Sequence, residues 1–169
     1  KDISYNNLLD IDSAIGLLND LESKESVFLI HKHNNPCGVA LRDNILDAYL
    51  DALSCDNVSA FGGILTSNQI IDIETAMEID KQFIEVLIAP NYSDSALDLL
   101  KSKKNRIIIK LKSYSVNKLQ TRSCLNGILE QDLDSKIDKF DDFKVVTKIS
   151  PNSSKSYDLV LATIIAKHT

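Results

Sequence analysis

The sequence predicts an α/β fold with helices layered on a sheet, and two observations carry that expectation. Short apolar runs bounded by turn residues, Val27-Phe28-Leu29-Ile30 and Val86-Leu87-Ile88-Ala89 before Pro90, read as buried strands. Between such runs lie segments whose apolar residues recur at helical spacing, several behind a capping residue. Strand and helix signals that alternate in this way are the pattern of a sheet covered by helices.

Taken in order, Asp12-Ser13 can cap a helix with Ala14, Ile15, Leu17, Leu18 and Leu21 on one face. The strand ending at Ile30 then breaks into His31-Lys32-His33 and a loop-forming Asn34-Asn35-Pro36-Cys37-Gly38. Asp43-Asn44 can start a helix carrying Ile45, Ala48, Tyr49, Ala52 and Leu53. Phe61-Gly62-Gly63-Ile64-Leu65 reads as a loop entering a short strand, and Asp72 caps a helix over residues 73–77. Ser93 opens another helix through Leu100, and residues 106–111 form the clearest strand. Further on, residues 127–130 read as strand, 144–149 as extended chain and 156–168 as helix, with the acidic stretch 132–142 a surface loop.

The 169 residues are 44% hydrophobic and 25% charged, which fits a globular chain and not a disordered one. A net charge of −5 argues against a nucleic-acid-binding face. The densest basic stretch, Lys101-Ser102-Lys103-Lys104-Asn105-Arg106, follows a helical pattern and reads as a solvated helix end. No apolar run reaches membrane-spanning length, and no signal-peptide pattern opens the chain. Cys37, Cys55 and Cys124 are odd in number and widely spaced, as expected of free thiols in a reducing cytoplasm.

Lys32 and His33 sit where a rigid strand hands over to a loop, a place that suits side chains held still yet able to reach a ligand. The plain alternative is a strand junction with solvated basic residues. His33 with Pro36-Cys37 has the look of half a zinc-deaminase signature. The second thiol would fall at Ala40 and the glutamate at Asn35, so catalytic zinc is not expected. Cys37 with His33 could instead form a nucleophile and base, although a cysteine in a tight loop is more often a small packed residue. Gly62-Gly63 could present amides to an anion, and singly it passes as a plain turn. Glu85 would pass as a surface carboxylate, and Asn6-Asn7 as a cap or turn.

These segments occur in a telling order: Ser4-Tyr5-Asn6-Asn7-Leu8-Leu9-Asp10, Lys32-His33-Asn34-Asn35-Pro36-Cys37-Gly38-Val39-Ala40, Ser59-Ala60-Phe61-Gly62-Gly63, and Glu85-Val86-Leu87-Ile88-Ala89-Pro90. Together they resemble the transformylase part of the aminoimidazole carboxamide ribonucleotide (AICAR) formyltransferase/IMP cyclohydrolase family. The segment Arg122 to Asp132 also resembles that family, with Asn126 where a second glycine is usual. Residues 158–169 match the helix that leads into the family's Lys-Ser-Asn segment.

The resemblance implies that residues 1–169 are the N-terminal half of an AICAR transformylase domain, with the cyclohydrolase domain and the C-terminal half absent. It implies a cytidine-deaminase-like α/β fold, the first of two similar halves, without zinc or other metal. It implies formyl transfer from 10-formyltetrahydrofolate, a co-substrate, to the 5-amino group of AICAR in purine biosynthesis. His33 is then the proton acceptor and Lys32 the cation at the developing charge. Asn7, Gly62 and Glu85 would contact AICAR, and Phe61 would shape the pocket near the folate. The implied setting is a cytoplasmic homodimer that builds each site from both subunits, with no nucleic acid or membrane partner. The isolated chain is expected to be inactive. Two further readings stand beside this one: a catalytically silent nucleotide-binding or dimerisation fragment, and a cysteine-dependent hydrolase using Cys37 and His33.

Overall fold

Ser4, and not Asp12 or Ser13, opens the first helix. In the computed structural model, which describes residues 2–21, 23–113 and 117–169, α1 runs Tyr5–Asp20, and the Ser4 hydroxyl accepts the amide of Asn7. The helix therefore begins two turns earlier than its apolar periodicity announces. The reason is visible in its first turns, where Tyr5, Leu8 and Leu9 are exposed and contribute no inward stripe.

Strand β1 (Ser26–Lys32) follows and pairs antiparallel with β2 (Asn35–Arg42) through a two-residue turn. Of the segment read as a loop, only Asn34 lies in the turn, and residues 35–38 belong to a strand. Proline removes one donor from a ladder, and the sheet tolerates Pro36 because β2 is an edge strand. The register slips between Ile30 and His31, since Gly38 faces Ile30 while Pro36 faces His31, so Cys37 is the extra residue of a bulge.

Asn44 caps α2 (Ile45–Cys55), and β3 (Ile64–Ser67) enters the sheet antiparallel to β1. Asp72 caps α3 (Ile73–Asp80), which leads to β4 (Val86–Ala89); Ser93 caps α4 (Asp94–Lys101), which leads to β5 (Ile107–Lys110). Strands β3, β4 and β5 are parallel, giving one mixed sheet ordered β2-β1-β3-β4-β5.

Each face of this sheet has its own apolar layer. Phe28, Ile30, Leu65 and Leu87 pack with Tyr49, Ala52, Ile79, Ala96 and Leu100 of α2, α3 and α4. Ile64, Val86, Ile88 and Ile107 pack on the other face with Ile11 of α1. Gly38 is required by the first layer: a Cβ there would lie 2.1 Å from the carbonyl oxygen of Ala52 in α2. The basic stretch after α4 is not wholly solvated. The Arg106 side chain is 1% exposed, with Nη1 3.0 Å from Asp80 Oδ1.

The chain divides into two units, one of residues 1–112 with 164–169 and one of residues 113–163. In the second, β6 (Leu119–Cys124) and β7 (Gly127–Asp132) form an antiparallel hairpin. Its turn is Leu125-Asn126, and the left-handed residue is Leu125 (φ 50°), so Asn126 does not need a glycine's freedom. A short 3-10 turn at Phe140–Asp142 interrupts the acidic loop, and residues 144–149 form no strand. Helix α5 (Ser153–Lys167) begins three residues before its expected start. Its last residues belong to the first unit, where Asp20 Oδ2 meets Lys167 Nζ at 2.9 Å and His168 Nε2 at 2.8 Å.

Candidate active site

Strand direction decides which loops meet. Because β1 runs against β3, its last residues lie beside the start of β3, with His31 opposite Ile64; Ile64 in turn stands opposite Val86 at the start of β4. Lys32, the Gly62-Gly63 loop and Glu85 thus emerge along one edge of the sheet, all within the first unit.

Four contacts join them. The ammonium of Lys32 donates to the carbonyl of Phe61 at 2.7 Å. The amide of Gly62 donates to Phe83 at 2.8 Å, and the amide of Glu85 donates to Gly63 at 3.1 Å. Across the site, the side-chain amide of Asn7 donates to Glu85 Oε2 at 2.8 Å, joining residues 78 apart in sequence. Asn7 is buried, and Ser4 both caps its amide and donates to its side-chain oxygen at 2.9 Å. That oxygen accepts from Ser4 and the nitrogen donates to Glu85, so the Asn7 side chain is held at both ends.

His33 lies in the β1–β2 turn and is exposed. Both turn residues are left-handed, His33 at φ 56° and Asn34 at φ 64°, as a type I′ hairpin demands. Phe61 is more than half exposed, and its ring centroid lies 5.1 Å from that of Phe83, which is about half exposed. The two rings form an open apolar surface beside the Lys32 tie, suited to a flat ligand.

The glycine pair does not act as an anion nest. The Gly62 amide is spent on Phe83 and the Gly63 amide on Ala60 at 3.0 Å, so neither is free to face a ligand. Gly62 supplies a left-handed backbone (φ 72°) instead. At Gly63 a Cβ would stand 3.0 Å from the carbonyl oxygens of both Ala60 and His31.

Cys37 is not poised as a nucleophile. Its thiol donates to the carbonyl of Ile30 at 3.5 Å and packs against the core. Burial, helped by the Asp56 charge, pushes its pKa up, which disfavours the reactive thiolate. Among the described residues no three His, Cys, Asp or Glu side chains gather to hold a metal ion.

Two residues near the site went unread in the sequence. His31, grouped there with its basic neighbours, is fully buried in β1 and neither ring nitrogen has a hydrogen-bond partner among the described residues. Burial, and then the charge of His168, holds its pKa down at about 4, so it is neutral near pH 7. Asp10 accepts the amide of Asn34 at 2.6 Å, a contact no local pattern signals.

The mixed α/β sheet thus brings a lysine-histidine hairpin, a carboxylate held by Asn7 and a pair of exposed aromatic rings to one end of its strands. The family model of the AICARFT/IMPCHase bienzyme matches residues 1–169, and the chain belongs to that family. Among curated relatives, the bifunctional purine biosynthesis protein PurH of Bacteroides thetaiotaomicron is 47% identical over 169 residues, all of this chain and 33% of the relative. The PurH proteins of Chlorobium phaeobacteroides and Petrotoga mobilis are 43% and 42% identical, each over 99% of this chain and 32% of the relative. The chain thus spans about a third of the length of the curated relatives it matches. None of its described helices is long and apolar enough to cross a membrane.

Proposed function

We propose that this chain carries part of the site that moves a formyl group from 10-formyltetrahydrofolate to the 5-amino group of AICAR. The observation that carries the reading is the Lys32 tie to Phe61, which brings the lysine-histidine hairpin to the Gly62 loop and the Asn7–Glu85 pair.

The amine of AICAR is conjugated to an imidazole carboxamide and is a poor nucleophile. As its nitrogen attacks the formyl carbon, a C–N bond forms, the carbonyl becomes an oxyanion and the amine must lose a proton. His33, exposed at the hairpin tip, accepts that proton as general base. The intermediate collapses by breaking the bond from the formyl carbon to the folate nitrogen, which takes the proton back from the His33 imidazolium as it leaves. Lys32 is bonded to a neutral carbonyl and, among the described residues, to no carboxylate, so its positive charge is available to the oxyanion. Asn7 and Glu85 offer a donor and acceptors to AICAR, and Phe61 with Phe83 offers the apolar wall beside the folate.

The sheet order β2-β1-β3-β4-β5, with two antiparallel steps beside three parallel strands, supports a cytidine-deaminase-like half-domain. We place the enzyme in the cytoplasm as a homodimer, with the rest of each site supplied outside these residues. The 169-residue chain alone should not turn over, because proximity catalysis needs both substrates held at once. The test is His33→Ala in a full-length enzyme carrying this segment. Formyl transfer should fall by ~10²–10⁴-fold with nucleotide binding retained. Near-normal turnover defeats the reading.

A further inference from the structure

The tip of the β1–β2 hairpin is fastened to α1 through both backbone groups of one residue. The amide of Asn34 donates to Asp10 Oδ1 at 2.6 Å, and the carbonyl of Asn34 accepts from the Ser13 hydroxyl at 3.1 Å. Asp10 and Ser13 stand three residues apart on a helix and so share a face. Asn7, three residues before Asp10, holds Glu85 from the same side. One face of α1 thus sets both ends of the site.

The tie matters because neither turn residue is glycine, although Asn and His tolerate the left-handed region better than most. A two-residue type I′ turn favours Asn-Gly, whereas this chain places His33 and Asn34 at φ 56° and 64°. Left-handed backbone is costly for a side chain with a Cβ, and it persists where surrounding contacts over-determine it. Here those contacts are a short hydrogen bond to a carboxylate and a second from a hydroxyl. The conformation of Asn34 fixes the direction in which the preceding residue, His33, leaves the backbone.

We propose that Asp10, seconded by Ser13, is a positioning residue for His33: its carboxylate locks the left-handed hairpin tip that aims the imidazole at the reacting amine. The proposal rests on the formyl-transfer reading of His33. In this role Asp10 acts through the Asn34 amide, which its Oδ1 accepts, and not through a substrate. The chemistry requires only an acceptor at that place, so an asparagine whose side-chain oxygen faces the amide should substitute.

The test is steady-state formyl transfer in a full-length enzyme carrying this segment. Asp10→Ala should lower kcat by about 10- to 100-fold, the scale of a misplaced catalytic group, and leave the KM for AICAR within about threefold. Asp10→Asn should recover most of the loss. In a His33→Ala background, Asp10→Ala should cost less than about twofold, because the group it aims is gone. Three results overturn the latch: a kcat for Asp10→Ala within about twofold of wild type, no recovery by Asp10→Asn, or an undiminished penalty in the His33→Ala background. If Asp10→Ala fails to fold, Ser13→Ala is held to the same criteria. Normal turnover by His33→Ala would overturn the formyl-transfer reading itself, a result distinct from low His33→Ala turnover with normal Asp10→Ala turnover.

Discussion

The ammonium of Lys32 lies 2.7 Å from the carbonyl oxygen of Phe61, so the end of β1 is tied to the loop that enters β3. A lysine used only for solubility would extend into water. This one is drawn along the sheet edge, and its hydrogen-bond partner among the described residues is a neutral acceptor that leaves the charge uncancelled.

Lys32→Ala should lower formyl-transfer kcat more than it raises the KM for AICAR, because the charge acts on an oxyanion that exists only near the transition state. Steady-state kinetics in both substrates checks this. An effect confined to KM would make Lys32 a ground-state binding residue.

Gly38→Ala should destabilise the first unit by about 2–3 kcal/mol, the upper part of the usual overpacking range. The added methyl would meet the backbone of Ala52, with the carbonyl oxygen at 2.1 Å and its carbon at 2.9 Å, and neither can swing aside as a side chain could. Urea unfolding of the variant measures the loss, and an unchanged midpoint would contradict the packing of β2 on α2.

Acid should weaken the fold in two separate windows. His31 has its pKa lowered to about 4 in the folded chain against about 6.5 when unfolded, so its neutral burial contributes fully above pH 6.5. As pH falls from 6.5 to 4 the unfolded chain takes up the proton first, and on the order of 3 kcal/mol is lost. Asp20 acts lower. Burial pushes its pKa up, but the hydrogen bonds from Lys167 and His168 outweigh that and lower it below 3.8, so its contribution persists until the pH drops beneath that value. Urea midpoints of the wild type and of His31→Leu, compared from pH 7 to pH 4, check the first window. Parallel curves would remove His31 as its source.

Cys37→Ser should keep most formyl-transfer activity, since the thiol is packed, hydrogen-bonded to Ile30 and held protonated by burial. A modest stability loss of ~1 kcal/mol fits a hydroxyl placed in a half-apolar bulge. Trapping of a covalent acyl adduct on Cys37, or loss of all turnover in a folded variant, would restore the cysteine-hydrolase alternative.

The sequence by itself determined the local elements whose cause is local. Asn44, Asp72 and Ser93 cap their helices because each side chain reaches an amide three residues on, and the apolar runs of β1, β4 and β5 became strands because burial drives them there. The resemblance of its ordered segments to the AICARFT/IMPCHase family also marked Lys32, His33, Asn7, Phe61, Gly62 and Glu85 as candidates. Only the tertiary structure decided that Pro36 and Cys37 belong to a strand, since an edge position and a bulge cancel their local meaning. Only it showed His31 in the core and His33 exposed, because β1 is buried on both faces through His31 while His33 falls in the turn beyond the strand. The bonds from Asn7 to Glu85 and from Asp10 to Asn34 cross 78 and 24 residues, and no periodicity announces contacts made when a helix packs over the edge of a sheet.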